Sequence, residues 1–91
     1  MRLDVFLKTS RLVKRRAVAK ELCDAGRIRI GGFKAKPARE LKVGDILTLE
    51  LPRRRLVAEV LELPAKGNVS KDMASTLYKI IEDIPKTEEL F

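Results

Sequence analysis

The hydrophobic period changes once, sharply, at Gly26, and that change limits the chain to a fold in which helices come first and strands follow. Before Gly26 the apolar residues recur at helical spacing. Leu3, Phe6 and Leu7 share one face, and Val18 and Leu22 make a second stripe with Ala19 and Cys23 beside them. Between the two runs the pattern weakens at Thr9-Ser10, and Ser10 is placed to cap a turn over Arg11 to Lys14. The second helix is expected to begin near Arg15 and to stop at Gly26, because glycine accepts the left-handed conformation that ends a helix. After Gly26 the period is two. In Arg27-Ile28-Arg29-Ile30 the isoleucines face one way and the arginines the other, Gly31-Gly32 supplies a tight turn, and Phe33, read as a core residue, opens the return strand. That register puts Arg27 and Arg29 on the solvent face.

Further strands follow. Val43-Gly44-Asp45 is a turn, Ile46 to Leu51 a strand, Pro52 with Arg53, Arg54 and Arg55 a solvated turn, and Leu56 to Leu63 a strand with Glu59 and Glu62 at its exposed points. Residues 64–68 read as a loop. The last segment has two readings: a helix capped by Ser70 with Met73, Leu77, Ile80, Ile81 and Ile84 as its stripe, or a short strand over Leu77 to Ile81. The tail from Pro85 is expected to fray. The pattern as a whole is α+β: two short N-terminal helices packed on a small, mostly antiparallel sheet, with a C-terminal helix or strand. A chain of 91 residues holds one domain, so residues 64–91 are expected to pack as an extension on the unit formed by residues 1–63.

Charge narrows the function. Residues 1–39 carry twelve Lys/Arg against three Asp/Glu, a net +9, whereas residues 40–91 are slightly acidic at −2. A positive field confined to one part of a small domain points to a polyanionic partner. One cysteine, Cys23, and no histidine leave neither an internal disulfide nor a zinc cluster, and no metal or other cofactor is expected. Cys23 lies on the apolar side of the second helix and reads as a small core residue, with no histidine to activate it as a nucleophile. No apolar run reaches the ~20 residues of a membrane span, and the first residues lack the apolar core of a signal peptide, so a cytoplasmic, monomeric, non-catalytic binding protein is expected.

The candidate contacts are the cations around the helix junction: Arg2, Lys8, Arg11, Lys14, Arg15, Arg16 and Lys20, with Arg27 and Arg29 extending the face along the hairpin. Arginine offers a fork that matches phosphate oxygens. Basic residues gathered at a junction and a hairpin, instead of along one long recognition helix, favour structured RNA over the DNA major groove. With Phe6 and Phe33 both read as core, base stacking on aromatics is not expected. Lys34, Lys36 and Arg39 read as phosphate neighbours. Asp4 repels phosphate; it either orients Arg11, Arg15 or Arg16 through an ion pair, accepts from a ribose hydroxyl, or forms a surface pair with Lys8.

Taken in order, Arg2-Leu3-Asp4-Val5-Phe6-Leu7, Arg11-Leu12-Val13-Lys14-Arg15-Arg16, Ala19-Lys20-Glu21-Leu22, Gly26-Arg27-Ile28-Arg29-Ile30-Gly31-Gly32, Lys36-Pro37 and Val43-Gly44-Asp45 resemble the S-four RNA-binding domain family over about residues 1–63. Within it the chain looks more like the RqcP family of short ribosome-associated quality-control factors than the fifteen-kilodalton heat-shock S-four proteins. The short length, Lys14-Arg15-Arg16 and the ending Leu77-Tyr78-Lys79-Ile80-Ile81 carry that likeness, and the tail is acidic at Glu82, Asp83, Glu88 and Glu89 instead of basic. The resemblance implies an S-four, or alpha-L, fold with Arg16 at the centre of the RNA contact. It also implies binding to large-subunit rRNA and peptidyl-tRNA on obstructed large ribosomal subunits, with an alanyl-tRNA-recruiting quality-control protein as partner in tailing stalled chains with alanine. The heat-shock alternative is recycling of free large subunits that carry nascent chains.

Overall fold

The computed structural model describes residues 1–65 and 67–86. The elements run α1 (Leu3–Thr9), α2 (Arg16–Asp24), β1 (Ile28–Ile30), β2 (Phe33–Lys34), β3 (Ile46–Glu50), β4 (Arg54–Val60), α3 (Lys71–Ala74) and β5 (Tyr78–Pro85). The strands form one five-stranded sheet in the order β2-β1-β3-β4-β5, and all four pairings are antiparallel. The α+β expectation therefore holds, with a sheet that is antiparallel throughout the described strands.

The core lies between the helix pair and one face of the sheet. Leu3, Phe6 and Leu7 of α1 are fully buried and cluster with Ala19 and Cys23 of α2, Ile28 and Ile30 of β1, Leu47 and Leu49 of β3, and Leu56 and Val60 of β4. Strand alternation explains the set: Ile28 and Ile30 point into this cluster and Arg29 points the other way. The stripe of α2 is narrower than its sequence suggests. Only the small residues Ala19 and Cys23 are buried, Leu22 is half-buried and Val18 is 40% exposed. Small side chains at i and i+4 let α2 lie close against its neighbours, which turns Val18 outward.

Phe33 is a correction. Gly31 and Gly32, at φ 59° and 89°, make the two-residue turn, and Phe33 pairs with Ile30 at the free edge of the sheet, where it is 77% exposed. β2 is two residues long, so no layer reaches far enough to cover the ring. The C-terminal segment combines both sequence readings. Ser70 does cap a helix, its Oγ accepting from the Met73 amide at 3.2 Å, but that helix is one turn long. β5 then pairs along β4, with Ile81 as an extra residue opposite the Val57/Ala58 step. The long amphipathic helix to Ile84 does not form, and Ile80, Ile81 and Ile84 stand 40–48% exposed on the outer strand. β4 begins at Arg54 and ends at Val60, so two of the arginines assigned to a turn are strand residues. Of the tail, Pro85 ends β5 and the Lys86 amide donates to the Arg53 carbonyl at 2.9 Å; Glu88 and Glu89 lie outside the described residues.

Candidate RNA interface

α1 carries no side-chain cap at its N-terminus. Its first amides are satisfied from the chain after the hairpin: Leu3 donates to the Arg39 carbonyl at 2.8 Å and Asp4 to the Pro37 carbonyl at 3.0 Å. The Lys36-Pro37 to Arg39 stretch, whose Lys36 and Arg39 read from sequence as phosphate neighbours, thus fixes where α1 starts and holds Arg2 and Asp4 in place.

Asp4 is 1% exposed and is the hinge of the site. Arg2 approaches it side-on, Nε to Oδ1 and Nη2 to Oδ2 both at 3.1 Å, and Arg16 from the start of α2 adds Nε to Oδ2 at 3.3 Å. A buried carboxylate is tolerable only when paired and hydrogen-bonded, and here two guanidiniums do this. Both arginines stay about half exposed, at 43% and 54% of their side chains. The triad carries net +1 and has a fixed orientation: Arg16 spends one of its five N–H groups on Asp4 and keeps both Nη atoms for an incoming anion. Of the alternatives for Asp4, the pair with Arg16 forms. The pair with Lys8 does not, nor do those with Arg11 and Arg15, and the principal partner, Arg2, was not among those proposed. Its sequence signal was present, a cation two residues away at the helix start.

The rest of the junction surrounds this triad. Arg2, Asp4, Arg16, Ala17 and Lys20 line one shallow concavity. Lys8, Arg11 and Lys14 line a second with Thr9, Gly67, Asn68 and Val69. Arg15 is exposed at the N-cap of α2. The first turn of α2 contains no acid, and Lys14, Arg15 and Arg16 crowd its positive end. Cations there oppose the helix dipole at roughly 0.3–1 kcal/mol each when exposed. Their placement destabilises the isolated helix and suits a surface that receives a polyanion.

Arg11 sits at φ 64°, a left-handed conformation that costs a non-glycine residue roughly 1–2 kcal/mol. Arg11→Gly is therefore expected to raise the melting temperature by a few degrees while weakening RNA binding, measured by thermal unfolding and RNA titration of the same sample. The strain is located where the guanidinium is presented to the groove.

One expectation does not survive. Arg29 faces away from α1 and α2, opposite Lys34 on β2 and Thr48 on β3, so it does not extend the helix-junction face. Arg27 is exposed just before β1. On that outer face, Lys86 (2.9 Å) and Arg55 (3.2 Å) pair with Glu50 and hold its carboxyl below the usual range, with Lys86 the main cause. Arg54 pairs with Asp83 at 3.3 Å. Arg54 and Arg55 are thus engaged by local acids. Missed by the sequence reading were Gly67, Asn68 and Val69, which form the far side of the Lys8–Arg11–Lys14 concavity. Nothing local in the sequence links them to α1, from which they are some sixty residues distant.

Cys23 is buried, and desolvation, with smaller contributions from Asp4 and Asp24, pushes its thiol up to about 11. Thiolate at pH 8 is thereby roughly a hundredfold rarer than in an unburied cysteine. Alkylation of the native chain at pH 8 is expected to be at least a hundredfold slower than in denaturant, read by mass spectrometry.

Among the described residues no helix is long and apolar enough to cross a membrane, and no group of three or more potential ligands is placed to hold a metal ion. Comparison with known proteins places the geometry in a family. The S4 domain model matches residues 1–47. An RQC P-site tRNA stabilizing factor of Bacillus subtilis is 45% identical over 83 residues, covering 91% of this chain and 94% of that protein. One of Streptococcus pneumoniae is 43% identical over 83 residues, covering 91% and 92%. The trimeric structure of Heat Shock Protein 15 from Vibrio cholerae superimposes with a TM-score of 0.81 over 88% of this chain and 80% of that one, at 24% identity, which establishes the fold. Matched by the S4 model over more than half its length, and by these tRNA stabilizing factors over nearly all of it, the chain belongs to the S4 domain family, in the group of the RQC P-site tRNA stabilizing factors.

Proposed function

We propose that the chain is a non-catalytic RNA-binding factor of bacterial ribosome-associated quality control. It binds obstructed large ribosomal subunits at the P-site tRNA and the neighbouring rRNA, and steadies the peptidyl-tRNA there while a partner protein brings alanyl-tRNA for C-terminal tailing of the stalled chain. The observation that carries this reading is the Arg2–Asp4–Arg16 triad: a rigid, half-exposed pair of guanidiniums set among Lys8, Arg11, Lys14, Arg15 and Lys20. A surface of this kind grips phosphates by shape and charge, which suits A-form RNA, whose narrow major groove keeps base edges out of reach. The naming of relatives at 43–45% identity supports the P-site tRNA as the ligand.

The test is an affinity pull-down from cells. The expected catch is large subunits with peptidyl-tRNA together with an alanyl-tRNA-carrying protein. Recovery of small subunits, or of no ribosomal particle, contradicts the proposal. Large subunits without the alanyl-tRNA carrier contradict the tailing role and favour recycling of the kind the heat-shock resemblance implies.

A further inference from the structure

One side chain in the cationic trough beside α1 differs in chemistry from its neighbours. Two adjoining hollows of about 340 and 390 Å³ share Lys8, Thr9, Gly67 and Asn68. One continues to Arg11 and Lys14, the other to Val5 and Arg16. No carboxylate among the described residues lines either hollow. The 67–69 segment is tied to α1: the Thr9 hydroxyl, on a residue 4% exposed, donates to the Gly67 carbonyl at 2.9 Å, and the Arg11 guanidinium reaches the Val69 carbonyl at 3.5 Å.

Lysine and arginine heads only donate. They suit phosphate oxygens, which DNA and RNA share. The Thr9 hydroxyl donates its proton to Gly67. Asn68 is exposed, carries both a donor and an acceptor, and its side chain makes no hydrogen bond to another described residue. A ribose 2′-hydroxyl also both donates and accepts, and it is the group that separates RNA from DNA at a given site. We propose that Asn68 is a specificity-determining residue. It pairs with a ribose 2′-hydroxyl of a strand whose phosphates are held by Lys8, Arg11 and Lys14. The 67–69 segment, outside the residues 1–47 that match the S4 domain, is then the second wall of the RNA site. The inference rests on the RNA-binding reading above and adds to it the means of telling RNA from DNA.

The experiment uses the full chain with an RNA hairpin and the DNA hairpin of the same sequence, in fluorescence anisotropy at one salt concentration and then across a salt series. Asn68→Ala is expected to weaken RNA binding about five- to tenfold, the worth of one hydrogen bond whose partner is left unpaired. DNA affinity, the salt slope and the melting temperature should stay at the parent's values, since no phosphate contact is lost. Thr9→Val, which releases Gly67, should reduce the RNA preference in the same direction, and Thr9→Ser should keep it. RNA affinity at the parent's level in Asn68→Ala, or an equal loss on both hairpins, overturns the role of Asn68 while leaving the RNA-binding reading intact. A parent chain with no preference for the RNA hairpin overturns that reading itself, and the role of Asn68 with it.

Discussion

Arg16→Ala is expected to lower affinity for large subunits carrying a P-site tRNA about ten- to a hundredfold at physiological salt, with the fold retained. Arg16 keeps both Nη atoms free of Asp4, and charge-assisted hydrogen bonds from a guanidinium to phosphate contribute roughly 1.5–3 kcal/mol, which converts to that range. The stability cost is small because Asp4 retains both bonds from Arg2 and because Arg16 is 54% exposed, so its ion pair lies in the regime of roughly 1 kcal/mol or less. Arg16→Lys keeps the charge and loses the fork, and should fall between parent and Ala. Co-sedimentation with purified subunits reads the affinity, and a thermal melt reads the fold. A variant that sediments like the parent would remove Arg16 from the interface.

The largest effect on stability is expected at Phe6. Its side chain is fully buried on α1 between Leu3 and Leu7 and the strands beneath, so Phe6→Ala should cost about 3–5 kcal/mol. A domain of this size is stable by only about 5–15 kcal/mol, so the variant should melt more than about 10 °C below the parent or fail to fold at 37 °C. Phe33→Ala supplies the contrast. A ring that is 77% exposed should change stability by less than about 0.5 kcal/mol. Urea midpoints followed by circular dichroism distinguish the two, and comparable losses at both positions would contradict the placement of Phe33.

The sequence signals that proved sound are those written in short-range pattern. Leu3, Phe6 and Leu7 at helical spacing, the Ile28/Ile30 alternation and the Gly31-Gly32 turn each specify their own element, and the structure has all three. The misread residues depend on what lies beyond their own segment. Phe33 looks like core because it opens a strand, but exposure depends on whether another layer reaches it, and β2 is a two-residue edge. Ile80, Ile81 and Ile84 fit a helical stripe as well as a strand; seven residues of β4 offering unpaired backbone groups decide the matter. In the site, the cations at the helix junction were visible as composition. Their division into the Arg2–Asp4–Arg16 triad, the Lys8–Arg11–Lys14 trough and the oppositely facing Arg29 required the sheet's handedness of face. The 67–69 wall required a tertiary contact to Thr9.

The central claim is that the α1–α2 face holds a tRNA in the P site of the large subunit. Its most direct test is the dissociation rate of peptidyl-tRNA from isolated large subunits, measured with no added chain, with the parent, and with the double variant Arg15→Ala/Arg16→Ala, in which Arg2 still pairs with the buried Asp4. The parent is expected to slow release, and the double variant, which lacks the two exposed guanidiniums at the start of α2, is expected to leave the rate at its unassisted value. A release rate that the parent does not change would contradict the claim, and slowing by the double variant equal to the parent's would move the interface elsewhere.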